Sequence, residues 1–150
     1  MAQGDIFIFD YFVYSLLTKP WGVNTFWPRI GLLPQTIIPE IDHDPDDWKS
    51  YNPQLERQVT FSYLRDSDET QLMAAPPIVF EIVSENHLAA KVKYALLYQR
   101  LAQNRGSFAF IDLTDDEGET PWDLTKVPLR ITFGETVFGG FNKVSTVTVE

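Results

Sequence analysis

Two acidic runs and two histidines are the residues with the chemistry to hold a cation or move a proton. Asp42-His43-Asp44-Pro45-Asp46-Asp47 sets carboxylates at alternate positions, as a calcium loop does when it converges hard oxygen ligands on one ion. The twelve-residue calcium loop of a helix–loop–helix would next need Gly where Asp47 stands and a bidentate Glu where Pro53 stands, so that motif is excluded. What remains is a solvated acidic loop, with a looser cation site or an intersubunit ion pair to Lys or Arg as the alternative. Asp112, Asp115, Asp116, Glu117, Glu119 and Asp123 form the second run, with no Lys or Arg between them. Between two predicted strands it reads most simply as a solvent-facing hairpin loop, and no metal site is assigned to it.

His43 and His87 are the only side chains whose ordinary protonation equilibrium lies near neutral pH. Neither accompanies a G-x-S-x-G or H-E-x-x-H pattern, and the chain has no phosphate-cradling glycine loop. His87 follows Ser84, Glu85 and Asn86 at a predicted turn, where a surface position is the default. A glycosidase-type carboxylate pair needs no adjacency in sequence. A small hydrolase using scattered carboxylates therefore stands as the enzymatic alternative, but the residues assign no catalytic site and no cofactor.

The totals narrow the field further. Twelve Lys and Arg stand against 21 Asp and Glu, a net charge of −9, which is the wrong sign for binding phosphate backbones, so nucleic acid is set aside as a partner. Cysteine is absent, which removes disulfides, thiol nucleophiles and thiolate metal sites. The apolar residues from Ile6 to Leu17 are interrupted by Asp10 and lack a basic leader or a small-residue cleavage site, so they are expected to be neither a signal peptide nor a membrane span. Synthesis in the cytoplasm is the expectation. At 150 residues, with 44% hydrophobic and 14% aromatic content, the length and composition predict a single domain, 1–150, with ample core.

The elements that must position these groups are short, as 10 prolines spread along the chain require. Ile6, Phe9, Val13, Leu16 and Leu17 follow helical spacing, with Asp5 as N-cap and Pro20 as stop, and predict a short N-terminal helix; a buried strand through Ile6 to Phe9 is the alternative. Residues 25–33 predict a strand. Residues 34–56, with four prolines and the first acidic run, predict a long irregular loop or arm. Val59, Phe61 and Tyr63 then alternate with Thr60 and Ser62 as a half-buried strand does, with a turn at Asp66, Ser67 and Asp68. Short strands follow at 78–83, 108–113, 127–133 and 144–149. Residues 88–103 are ambiguous: composition favours a helix, yet Val92, Tyr94, Leu96 and Tyr98 also alternate.

The aromatics in Pro-rich loops are the positive signal. Trp21, Trp27, Trp48, Tyr51 and Trp122 are the candidate interface residues, because large rings anchor protein contacts efficiently. Core packing is the plainer role for each one singly.

Taken in order, these elements resemble a family of small structural proteins of tailed phages, the capsid decoration, cement or tail proteins. The resemblance lies in Ile8-Phe9-Asp10-Tyr11-Phe12-Val13, Arg29-Ile30-Gly31-Leu32-Leu33, Val59-Thr60-Phe61-Ser62 and Pro77-Ile78-Val79-Phe80. It is strongest in Ala90-Lys91-Val92-Lys93-Tyr94-Ala95-Leu96-Leu97-Tyr98, and continues through Phe108-Ala109-Phe110-Ile111-Asp112-Leu113 and Ile131-Thr132-Phe133. Asn52-Pro53-Gln54 stands where the family has a Gly-Gly pair. The resemblance implies that residues 90–98 are a strand, and that the fold is mainly β, an antiparallel sandwich or barrel with one short helix. It further implies a capsid cement or decoration protein located in the virion, a homo-oligomer packed on the major capsid protein or other virion proteins. A distal-tail or terminator protein, or a carbohydrate- or receptor-binding module reading its ligand with Trp48 or Trp122, are the alternatives.

Overall fold

The computed structural model describes residues 2–8, 28–39, 48–59, 61–66, 69–74, 77–99, 107–133 and 144–150. In chain order the strands are β1 (Asp5–Ile8), β2 (Pro28–Leu32), β3 (Gln54–Gln58), β4 (Phe61–Asp66), β5 (Glu69–Ala74), β6 (Ile78–Phe80) and β7 (Lys91–Val92). They continue as β8 (Tyr94–Gln99), β9 (Ser107–Asp112), β10 (Trp122–Asp123), β11 (Leu129–Thr132), β12 (Val144–Thr146) and β13 (Thr148–Val149), and one 3-10 turn covers Trp48–Tyr51. The protein is mainly β, and every strand pair is antiparallel.

Six strands form the largest sheet, in the order β12-β1-β9-β8-β2-β3, and three form a smaller one, β13-β11-β6. Between them lies the main core. Ile6, Ile30, Leu32, Ala95, Leu97, Phe108, Ala109 and Ile111 from the large sheet meet Ile78, Phe80, Leu129 and Ile131 from the small one. The opposite face of the large sheet is apolar too: Leu33, Tyr51, Leu96, Tyr98 and Phe110 form a second cluster with Phe7 and Tyr94 against it. Phe7 stacks on Phe110 at 5.3 Å between centroids, and Tyr94 meets the same ring edge-on at 5.6 Å. Burial on both faces is why β9 is buried at all six positions and why its sequence runs apolar without alternating.

The C-terminal strand connects the two sheets. β12 pairs with β1 and, one residue later, β13 pairs with β11. Val147 is the corner, and its N–H donates to Gly4 O at 2.7 Å. Gly4 holds φ at +88°, and a Cβ there would lie 2.4 Å from Val147 O, so only glycine fits beneath the corner.

One sequence expectation is corrected, and two segments are defined more closely. Asp5–Ile8 is a strand and not the start of a helix, because pairing on both sides with β9 and β12 outweighs a helical spacing that could also be read as a strand; residues 9–27 lie outside the described residues, and among those described there is no α-helix. The segment 34–56 is not irregular throughout, since it contains the 3-10 turn and reaches β3, an edge strand whose sequence Gln54-Leu55-Glu56-Arg57-Gln58 offers no apolar alternation. The segment beginning at residue 88 resolves as strand, β7 then β8, against its helical composition, because both its faces are buried by neighbouring layers.

Candidate functional site

Two loops, 83–90 and 123–128, build a surface groove. Leu124 ties them together: its N–H donates to Ala90 O at 2.8 Å, and its carbonyl accepts from Val83 N at 3.1 Å. The short ladder β7–β10 continues the connection, with Trp122 opposite Val92 and Asp123 opposite Lys91. The resulting groove has a volume of about 480 Å³ and is lined by Glu85, His87, Leu88, Lys91, Asp123 and Lys126, among others.

Its polar groups are already organised. Asp123 Oδ1 accepts from Thr125 Oγ1 at 2.5 Å and from Thr125 N at 3.1 Å, and Lys126 Nζ stands 3.9 Å from Oδ2. The Thr125 hydrogen bonds, and then the positive charges of Lys126 and Lys91, hold the Asp123 carboxyl below its ordinary range despite some desolvation. His87 Nδ1 accepts from Ala89 N at 2.9 Å, which fixes the ring against its own loop. The groove thus holds charged and hydrogen-bonding groups of both kinds, with the Thr125 hydroxyl engaged by the Asp123 carboxylate. Among the described residues, no group of three or more His, Asp or Glu side chains is placed to hold a metal ion.

Exposed apolar side chains lie in or next to the same two loops. Leu88, Val127 and Ile82 are 59%, 52% and 51% exposed, and these are three of the five large hydrophobics exposed among the described residues. Trp122 lies beside them, half-buried against the main core, with Nε1 donating to Val127 O at 3.0 Å.

The second acidic run separates into parts. Asp112 is buried, not solvent-facing; its Oδ1 accepts from Thr114 N at 2.8 Å and from Thr114 Oγ1 at 2.5 Å. Thr114 Oγ1 in turn accepts from Gly118 N at 2.7 Å. Glu117 and Gly118 both hold positive φ, and Glu119 N donates to Asp116 O at 3.0 Å, which makes a type I′ turn. Asp115, Asp116, Glu117 and Glu119 are thereby displayed on this turn, all exposed. Asp123 belongs to β10 and the groove instead.

Across the large sheet a polar network crosses the second cluster. Tyr98 OH donates to Glu56 Oε2, and Glu56 Oε1 lies 3.5 Å from Arg29 Nε. Register sets Arg29 opposite Tyr98 and Gln58, which gives this network a role in aligning β3, β2 and β8.

Of the aromatic residues singled out from the sequence, Trp21 and Trp27 lie outside the described residues, as do His43 and the acidic run 42–47. Trp48 opens the 3-10 turn. Tyr51 is buried within its own chain, in the second cluster, and Trp122 packs half-buried against the main core. Sequence reasoning missed the groove because Lys91 and Lys126 are far apart in the chain, and the bonds of Leu124 and the β7–β10 ladder that join their segments have no local signal. No known protein family matches the chain, and no curated protein or solved structure matches it either.

Proposed function

We propose that the chain is a structural protein of a tailed-phage virion, a capsid cement or decoration protein that acts by packing against neighbouring subunits and not by catalysis. The observation that carries this reading is the β4–β5 ribbon. It is a sheet of its own two strands, paired in register from Phe61↔Ala74 to Asp66↔Glu69, and no third strand joins it among the described residues. A two-stranded ribbon is at best marginally stable alone in water. Its register places Phe61, Tyr63, Leu72 and Ala74 on one face. A subunit of an assembly has a use for such a ribbon, because a neighbour can supply a further strand or a covering layer.

In this reading the six- and three-stranded sheets are the two layers of an antiparallel sandwich sharing the strand 144–149, and the partners are the major capsid protein, other virion proteins and further copies of the chain. The acidic surface, with its net charge of −9, suits a protein that must not adhere to packaged DNA. The test is quantitative mass spectrometry of purified particles. A copy number that scales with the capsomers supports the cement role, a number matching the rings of a tail supports a tail component, and absence from particles overturns the proposal.

A further inference from the structure

We propose that residues 52–58 are a tethered flap: β3 opens from the edge of the large sheet as a unit while the rest of the fold stays closed, and the backbone at Leu55 sets it to do so. Such opening is a property of the single chain and stands apart from any role in a virion.

Backbone conformation is the first support. β2 advances two residues from Ile30 to Leu32 while β3 advances three from Gln54 to Arg57, so Leu55 and Glu56 both stand opposite Gly31. The extra residue is a bulge, and Leu55 within it holds φ at +54°. Glycine is the residue such a position favours, because a Cβ there crowds the following carbonyl. Asn52, at the entry to the strand, is left-handed too, at +52°, but asparagine tolerates that region. Neighbours hold Leu55 in place. Its side chain packs against the main core, and Arg57 Nη1 donates to Leu55 O at 3.3 Å and to Glu56 O at 3.1 Å. The Arg57 guanidinium lies over the Phe80 ring, 5.4 Å from its centroid. A strained residue kept by its surroundings stores free energy that opening releases.

Burial is the second support. No residue of β3 is fully buried: four are half-buried and Gln58 is exposed. Its outer side is joined by no strand among the described residues. β8 and β9, by contrast, have strands on both sides and apolar clusters on both faces. The residues that bound the flap are buried, Tyr51 before it at 5% exposure and Val59 after it at 3%. They anchor the segment at both ends, so 52–58 bows outward without leaving the molecule. Opening bares the outer edge of β2 and draws the Glu56 carboxylate away from the hydroxyl of the fully buried Tyr98. That hydrogen bond and the Glu56–Arg29 pair favour closing again.

The experiment is residue-resolved native-state hydrogen exchange on the full chain, with Leu55→Gly and Leu55→Ala as variants. In the wild type, the amides that join β3 to β2 are expected to share one opening constant, at least about a hundredfold larger than that of β8 and β9. Both variants remove the same side-chain contact with the main core, so the difference between them isolates the backbone. Glycine relieves the left-handed conformation and alanine does not. Leu55→Ala should therefore open β3 about threefold more than Leu55→Gly, even after the greater freedom that glycine gains on opening. An unstrained strand would give the opposite order, because glycine weakens a strand relative to alanine. Protection at β8 and β9 in the same spectra shows that each variant folds, and the wild-type comparison stands whatever the variants do. Protection of β3 equal to that of β8 and β9, opening constants that scatter along β3, or Leu55→Gly opening at least as readily as Leu55→Ala each overturns the proposal.

Discussion

β8 with β9, and β4 with β5, are both antiparallel pairs of six-residue strands. The first pair lies in the middle of the large sheet, with β1 and β2 on either side and apolar clusters on both faces. The second is paired only with itself among the described residues. The comparison teaches that strand pairing alone stabilises little in water, where backbone groups already have partners; covered faces do the rest. A ribbon built like the first pair reports how the chain folds. One built like the second is, in the proposed reading, where the chain meets a neighbour.

Truncation separates the two most sharply. Phe108→Ala removes a ring with no exposed surface from the main core. It is expected to lower unfolding stability by about 3–5 kcal/mol, read from denaturant midpoints. On the proposed reading, in which a neighbour covers the ribbon, Tyr63→Ser is expected to change the stability of the isolated chain by less than about 0.5 kcal/mol, while reducing incorporation into particles. A large stability loss from Tyr63→Ser would mean that the ribbon is held by its own chain, and the contrast would disappear.

The next effect concerns the corner that joins the sheets. Gly4→Ala adds a carbon 2.4 Å from Val147 O at a φ of +88°. Relief requires the strand 144–149 to shift, with an expected cost of about 2–3 kcal/mol. Because β12 and β13 belong to different sheets, the loss should appear in hydrogen exchange at β1 and β11 together and leave the β4–β5 ribbon unchanged. Exchange confined to β1 would show that the sheets do not depend on their shared strand.

How far these regions can be read from sequence follows from the same contrast. Alternation at Val59, Phe61 and Tyr63 and the apolar run at 108–113 marked β4 and β9, because period and apolarity are local properties. β8 was ambiguous for the opposite reason: Tyr94-Ala95-Leu96-Leu97-Tyr98 is apolar on both sides, which a buried helix would also be. β3 was hidden because it is a polar edge strand with Leu55 as its single apolar residue. The groove was less legible still. Asp123 was counted with the acidic loop, and His87 was noted at a turn, but nothing local to either residue indicates that Leu124 bonds to both walls. The buried position of Asp112 was likewise concealed by its acidic neighbours, although Thr114 two residues on was the available signal, since an Asp-x-Thr turn engages the carboxylate.

The smallest expected effect probes the margin between the large sheet and the acidic loop. Tyr94 packs on Phe110 opposite Asp112, and its phenol is held above the ordinary value of 10.0, first by burial and then by the negative charge of Asp112. In the unfolded chain the phenol loses its proton near the ordinary value, whereas the folded chain retains it. Above that point the folded state binds more protons than the unfolded state, so stability that is complete below pH 10.0 declines as pH rises toward the folded-state value. Tyr94→Phe should flatten this decline without altering the profile at lower pH, as measured by urea unfolding across the alkaline range. Asp112→Asn should remove only the second cause, so Tyr94 would then ionise at a lower pH than in the wild type and still above the ordinary value, as read by ultraviolet titration against the Tyr94→Phe baseline. If the two variants behave alike, burial contributes nothing and the charge on Asp112 is the sole cause. That result would make the edge of the large sheet as open to water as the loop beside it.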